Sequence, residues 1–281
     1  MKVKITSDST CDLGHLVKER EIGILPLRVN LDAQSYHDGV DITPQDIFDF
    51  VAKTKMLPKT SAPSIGDYEE FFAKQLKDVD EVVHFNISTK SSGSHNMALQ
   101  AAESFGGRVR VVDSKALSSG QGLLVLKAAD MRDEGKTGEE IEEAVKEIRE
   151  RINTSFVPDQ LDYLHKGGRC SGMKMFVANA LKIHPKIVMR DGQLIQGGKY
   201  RGNMDRCISQ YIEGLKNEYP HYEKTRCFVT HSSAEPELVE LAKSKVKEYF
   251  EFDEIIETVA GSIITSHCGK GTLGVLFVYE E

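Results

Sequence analysis

Short runs of β-branched and apolar residues punctuate the first half of the chain at residues 3–6, 24–29, 81–87 and 109–112, separated by amphipathic stretches long enough for crossover helices. This rhythm predicts a parallel α/β sheet. Helix starts carry chemical punctuation. Thr43-Pro44 offers an N-cap followed by proline at the first helical position, and Thr137-Gly-Glu-Glu140 reads as a capping box. After the charged helix over 137–151 the pattern restarts with an apolar segment around Phe156, a short helix over 160–165 and the turn Lys166-Gly-Gly-Arg169. A domain boundary is therefore expected near Asn153, dividing an N-terminal α/β domain, 1–153, from a C-terminal one, 154–281.

The second half predicts a helix over 171–183 and a hairpin in which Asp191-Gly192 joins strands over 186–190 and 193–199. Next come a helix over 205–217, a strand over 227–231, a helix over 236–250 and closing strands over 255–259 and 273–279. The fold class expected is α/β: two α/β domains, the first with a mainly parallel sheet and the second with a mixed sheet.

Composition narrows the classes. Apolar residues at 40% and charged residues at 28% of 281 positions are close to globular averages, so a real core is expected rather than disorder. A net charge of -7, with no Lys/Arg stripe, argues against a general nucleic-acid binder. Met1-Lys-Val-Lys-Ile-Thr6 reads directly as a strand, and no run of about 18 apolar residues occurs, so a cytoplasmic location is expected. The five cysteines form no CxxC pair and read as reduced structural thiols.

Chemistry-bearing residues gather in loops after predicted strands: Ser7-Asp-Ser-Thr10, Ser88-Thr-Lys-Ser-Ser-Gly-Ser94, Ser118-Ser-Gly120, Thr230-His-Ser-Ser233 and Thr265-Ser-His-Cys-Gly-Lys-Gly-Thr272. Thr60-Ser-Ala-Pro-Ser64 opens a helix. Beyond the carboxyl ends of strands, hydroxyls and free backbone N–H groups favour an anionic ligand group, while in any single loop they equally serve as helix caps. Familiar phosphate loops fail. Gly269-Lys270 lacks both ends of a Walker A motif, with Ile264 and Gly271 where glycine and Ser/Thr are required. Gly269-Lys-Gly-Thr-Leu-Gly274 matches GxGxxG but precedes a strand, so no dinucleotide site is expected. Neither GxSxG nor HExxH occurs, and the nine histidines show no metal-ligand spacing, so neither metal nor cofactor is expected.

His267 lies in the glycine-containing loop before the last strand, where it serves either as hydrogen-bond donor to a carboxylate or, when charged, as its ion partner; it also reads as a bystander. The apolar stretch Met173, Met175, Phe176, Val177, Ala180, Leu181, Ile183 suits either core packing or a greasy cavity.

Taken together, Ile5-Thr-Ser-Asp-Ser-Thr10, Lys59-Thr-Ser-Ala-Pro-Ser64, Ile87-Ser-Thr-Lys-Ser-Ser-Gly-Ser94, Val112-Asp-Ser114, Leu161-Asp-Tyr-Leu-His-Lys-Gly-Gly-Arg169, Lys199-Tyr-Arg-Gly202 and Thr265-Ser-His-Cys-Gly-Lys-Gly271 resemble, in order, the motifs of the DegV family. The resemblance implies a ligand site between two α/β domains, with a long-chain fatty acid as ligand. Its carboxylate would be bound by Thr60, Ser61, Ser92, the Gly93 N–H and His267, and its tail would lie in a pocket of the C-terminal domain. It further implies a carrier, not an enzyme. A separate ATP-dependent fatty-acid kinase subunit phosphorylates the bound carboxylate in bacterial members, and the acyl phosphate moves on toward phospholipid synthesis. Arg169 and Arg201 are expected to contact that partner or the phosphate, and transient membrane or acyltransferase contact is expected. This chain departs from the family pattern at Ser91, His95, Cys268 to Lys270, and His184-Pro-Lys-Ile187, which makes the loops more polar and leaves Lys186 without a role. Two other readings stay open: a subunit resembling that of dihydroxyacetone kinase, with His267 or His231 holding a small carbonyl compound covalently, and a ligand-free interaction module.

Overall fold

The computed structural model of the chain describes residues 1–170 and 182–280. Its strands are β1 (Val3–Asp8), β2 (Gly23–Leu25), β3 (Arg28–Leu31), β4 (Gln34–His37), β5 (Lys59–Ser61), β6 (Glu81–Asn86), β7 (Val109–Asp113), β8 (Ile152–Asn153), β9 (Ser155–Val157), β10 (Ile183–Arg190), β11 (Gln193–Arg201), β12 (Tyr222–His231), β13 (Glu254–Val259) and β14 (Leu273–Tyr279). Its helices are α1 (Leu16–Glu19), α2 (Pro44–Thr54), α3 (Ile65–Gln75), α4 (Ser94–Ala102), α5 (Ser119–Asp133), α6 (Gly138–Ile148), α7 (Asp162–Gly167), α8 (Met204–Glu218), α9 (Pro236–Tyr249) and α10 (Ser262–Cys268).

The chain is an α/β protein with one parallel and one mixed sheet. The first runs β2-β1-β6-β7 with every pair parallel. The second runs β11-β10-β9-β14-β12-β13, with β8 also on β14, and only β12 and β13 pair in parallel. Thr43 caps α2 with Pro44 at its first position, and Thr137 opens α6 with a capping box, as their sequences predict; Thr43 also forms a capping box with Asp46. Asp191 and Gly192 both have positive φ, the backbone that a tight hairpin turn between twisted strands requires.

Several expectations need correction. Residues 24–29 do not form one strand. Pro26 has no N–H to give a ladder, and the run breaks there into β2, on the parallel sheet, and β3, in a small antiparallel sheet β4-β3-β5. The cluster over 60–64 opens α3 as expected, through Ser64 in a capping box with Asp67, while its first two residues, Thr60 and Ser61, lie in β5 of that sheet. The short helix after residue 160 is α7 at Asp162–Gly167. The helix predicted over 171–183 lies outside the described residues except for its last two positions, where Lys182 is in a turn and Ile183 opens β10. His267 sits in the last turn of α10, not in a loop.

Helix α5 explains how the sheets come together. Leu123, Leu124, Val125, Leu126, Ala128 and Ala129 are all buried, so the helix has no broad polar face. It packs on β1 of the parallel sheet and on β14 of the mixed one, and a single core joins Ile5 and Phe85 to Phe228 and Leu276. A helix apolar on all sides belongs between two layers. Gly122 permits the approach, because a Cβ there would lie 2.6 Å from the Cys11 carbonyl oxygen.

Candidate functional site

Helix α10 is a short element held in place by acids from the start of the chain. Asp12 accepts a hydrogen bond from the Gly261 N–H at 2.9 Å, and Asp38 accepts from the Ser262 N–H at 2.7 Å. The Ser118 hydroxyl donates to the second oxygen of Asp12 at 2.5 Å. Burial pushes the carboxyls of Asp12 and Asp38 up, and these hydrogen bonds oppose the shift. Acids at a helix N-terminus also meet the positive end of its dipole. The result fixes α10, and with it His267, against the N-terminal half of the chain.

Facing α10 is β5, whose Thr60 pairs with Val29 of β3. Thr60 Oγ1 and His267 Nε2 are 2.8 Å apart. On its other side, His267 Nδ1 faces Gly167, where a Cβ would stand 3.0 Å away, and it has no hydrogen-bond partner among the described residues. Burial, and then the neighbouring Arg169 guanidinium, pull the imidazole down to about 4. His267 is therefore neutral at physiological pH. If its Nε2–H donates to Thr60, the threonine proton is left for an anion; the ring acts as a neutral donor and not as an ion partner.

The third participant comes from the loop between β6 and α4. Buried Asp8, at the end of β1, accepts from Ile87 N, Asn86 Nδ2, Gln121 Nε2 and Thr10, and so fixes the strand ends from which the loop springs. Asp113 holds Thr89 through its N–H and hydroxyl. The Ser88 hydroxyl donates to the Gly192 carbonyl at 2.7 Å, while Ser91 and Ser92 N–H groups return to the Ser88 carbonyl. Ser92 Oγ accepts from the N–H and hydroxyl of Ser94, which leaves its own proton to donate. The Gly93 N–H makes no hydrogen bond among the described residues.

These groups surround a cavity of about 440 Å³, within the ordinary range for a small-molecule site. Thr60, Ser61, Ser92, Gly93, Arg169 and His267 all line it; exposed Arg201, at the end of β11, does not. Ser61 also accepts from Asn30 Nδ2, and Arg169 donates to the Gly167 carbonyl. Apolar walls come from both halves of the chain: Leu27, Ile87 and Leu117 from the first, and Phe156, Leu164, Leu194, Ile263, Ile264 and Leu276 from the second. Sequence reasoning missed these walls. The Ile263-Ile264 pair beside His267 was the one local signal available.

The five cysteines are free and buried, and burial lifts the Cys11 and Cys268 thiols to about 12. Among the described residues no group of three or more His, Cys, Asp and Glu side chains is placed to hold a metal ion, and no helix is long and apolar enough to cross a membrane.

Comparison with known proteins gives one consistent result over the full length. A DegV domain-containing protein of Caldanaerobacter subterraneus is 34% identical over 278 residues, covering 98% of each chain. A fatty acid-binding protein of Thermotoga maritima is 35% identical over 285 residues, covering 98% of this chain and 96% of that one. The solved structure of a DegV family protein from Thermus thermophilus, described for its fatty acid binding, superposes over 100% of both chains with a TM-score of 0.92 at 29% identity. A family profile described as "Uncharacterised protein, DegV family" matches residues 2–280, and with these relatives it establishes that the chain belongs to the DegV family.

Proposed function

We propose that this chain binds a long-chain fatty acid and presents its carboxylate to a separate ATP-dependent kinase subunit, which forms the acyl phosphate. The observation that carries the reading is the meeting of Thr60, Ser92 and His267, far apart in sequence, on one cavity whose remaining wall combines aliphatic side chains, Leu117, Leu164, Leu194, Ile263 and Leu276 among them, with further hydroxyls. Each methylene taken from water contributes about 0.8 kcal/mol, so the tail supplies affinity. The ionised head must keep its hydrogen bonds when it leaves water, and the hydroxyls of Thr60 and Ser92, supported by Ser61 and the Gly93 N–H, provide them.

In this reading residues 1–153 supply the carboxylate-binding loops, and residues 154–281 supply His267 and most of the acyl-chain wall. Arg169, exposed at the cavity, and Arg201, exposed outside it, meet the kinase subunit or the phosphate, for which a planar guanidinium fork is suited. Contact with a membrane or an acyltransferase then passes the product on. The chain carries no catalysis of its own.

Lipid extraction and mass spectrometry of the purified protein test the binding step: a long-chain fatty acid is expected near one per chain. Repeated preparations without one, and without uptake of added palmitate, refute it. The presentation step predicts acyl phosphate only when loaded protein, kinase subunit and ATP are combined. Nothing favours a covalent histidine. His267 Nε2 is engaged by Thr60, and His231 accepts the Ala234 N–H on Nδ1 while its Nε2 faces Glu257 at 3.5 Å.

A further inference from the structure

The β10–β11 hairpin borders a second cavity, of about 340 Å³, whose other walls come from the β7–α5 and α6–β9 connections, the end of α8, and β14. Its charges are sorted by depth. The Lys186 side chain is 3% exposed, while its partner Glu218, 2.5 Å away, is 49% exposed. Arg149 and Lys115, at 20% and 31%, share Glu150, at 47%. Cations therefore line the interior and their acids stand toward solvent. The side chain of Arg190, exposed on the wall, makes no ion pair or hydrogen bond among the described residues.

Four cations on this wall, Lys115, Arg149, Lys186 and Arg190, outnumber its three carboxylates, Glu150, Asp191 and Glu218, by one, so a bound anion would complete the balance. An ammonium withdrawn from water is satisfied only by close oppositely charged or acceptor groups, and Lys186 has one half-exposed carboxylate and the face of Tyr211, 5.9 Å from its nitrogen. Lysine offers a point charge and arginine a flat fork, the two groups that together suit the several oxygens of a phosphate. The phenol of Tyr219 adds a polar wall for the rest of a small molecule. This lining differs from that of the acyl cavity, which mixes aliphatic side chains with hydroxyls.

We infer that this second cavity binds a small phosphate-bearing molecule through Lys186, Arg190 and Arg149. The inference is independent of the fatty-acid reading, since no charged group is shared between the two cavities.

The test is titration of the full chain with inorganic phosphate and, separately, with glycerol 3-phosphate, followed by amide chemical shifts. Lys186→Met removes the buried charge, and Arg190→Ala, at an exposed position, guards against a folding defect in the first variant. The expected result is saturable shifts around Lys115, Arg190 and Gly192 with either probe, with affinity falling about tenfold in a folded variant. No saturable binding of either probe, binding unchanged in both variants, or equal displacement by chloride overturns the inference.

Discussion

At His267 a single proton decides how the carboxylate end works. Because the imidazole is held near 4, it stays neutral through the physiological range, so fatty-acid affinity should be flat between pH of about 7.5 and 5.5. Affinity that climbs on acidification with a midpoint of about 6.5 would show a charged ring instead. Ser92→Ala and Thr60→Ala each remove a hydrogen bond to a charged group, worth about 1–3 kcal/mol, and should weaken acyl binding in equilibrium titrations with little change in melting temperature. Stability carries a second signature. His84, buried among Tyr68, Phe71 and Phe72, is pulled down to about 3, and His267 to about 4. Both bind protons more readily in the unfolded chain, so their influence is absent at neutral pH and destabilises the fold as pH falls below about 6.5. The raised carboxyls of Asp8, Asp12 and Asp38 act in the opposite sense, since protonation relieves the burial of charge. His267→Gln should therefore gain on the native chain in urea unfolding as the pH is lowered from 7 to about 4.5. Thr60, Ser92 and His267 were legible as members of ordered motifs. Only the family resemblance brought them to one carboxylate, because nothing local in a sequence states that positions 60 and 267 meet.

The element most exposed to this logic is α10. Asp12→Ala strands the Gly261 N–H and the Ser118 hydroxyl in a buried place, at a cost of about 1–3 kcal/mol each, whereas Asp12→Asn keeps an acceptor for Gly261 and a donor that Ser118 can accept. Chemical denaturation should rank Asp12→Ala well below Asp12→Asn. Similar stability for the two would remove Asp12 from this supporting role. Long elements declared themselves in the sequence, because α8, α9 and β14 have enough residues to show a period or a run. Short ones did not: seven residues of α10 span two turns, and β4 and β5 are polar strands of four and three residues. The small sheet that carries Thr60 was invisible for that reason.

At the scale of the whole molecule, α5 ties the two main sheets through one core, and the acyl cavity draws walls from both halves of the chain. Leu124→Ala in the middle of that core should cost about 2–5 kcal/mol. The coupling predicts one cooperative unfolding transition, coincident by far- and near-ultraviolet circular dichroism. Two separated transitions would mean that the sheets fold independently. The sequence displayed both sheets through strand rhythm, but not the helix shared between them, since an all-round apolar segment looks the same whether one layer or two cover it. The most direct test of the central claim is a crystal structure of the protein with a long-chain fatty acid. The account predicts carboxylate oxygens within hydrogen-bond distance of Thr60 Oγ1 and Ser92 Oγ, and a tail running past Phe156 and Leu276; an acid bound elsewhere, or bound with its carboxylate away from those hydroxyls, would contradict it.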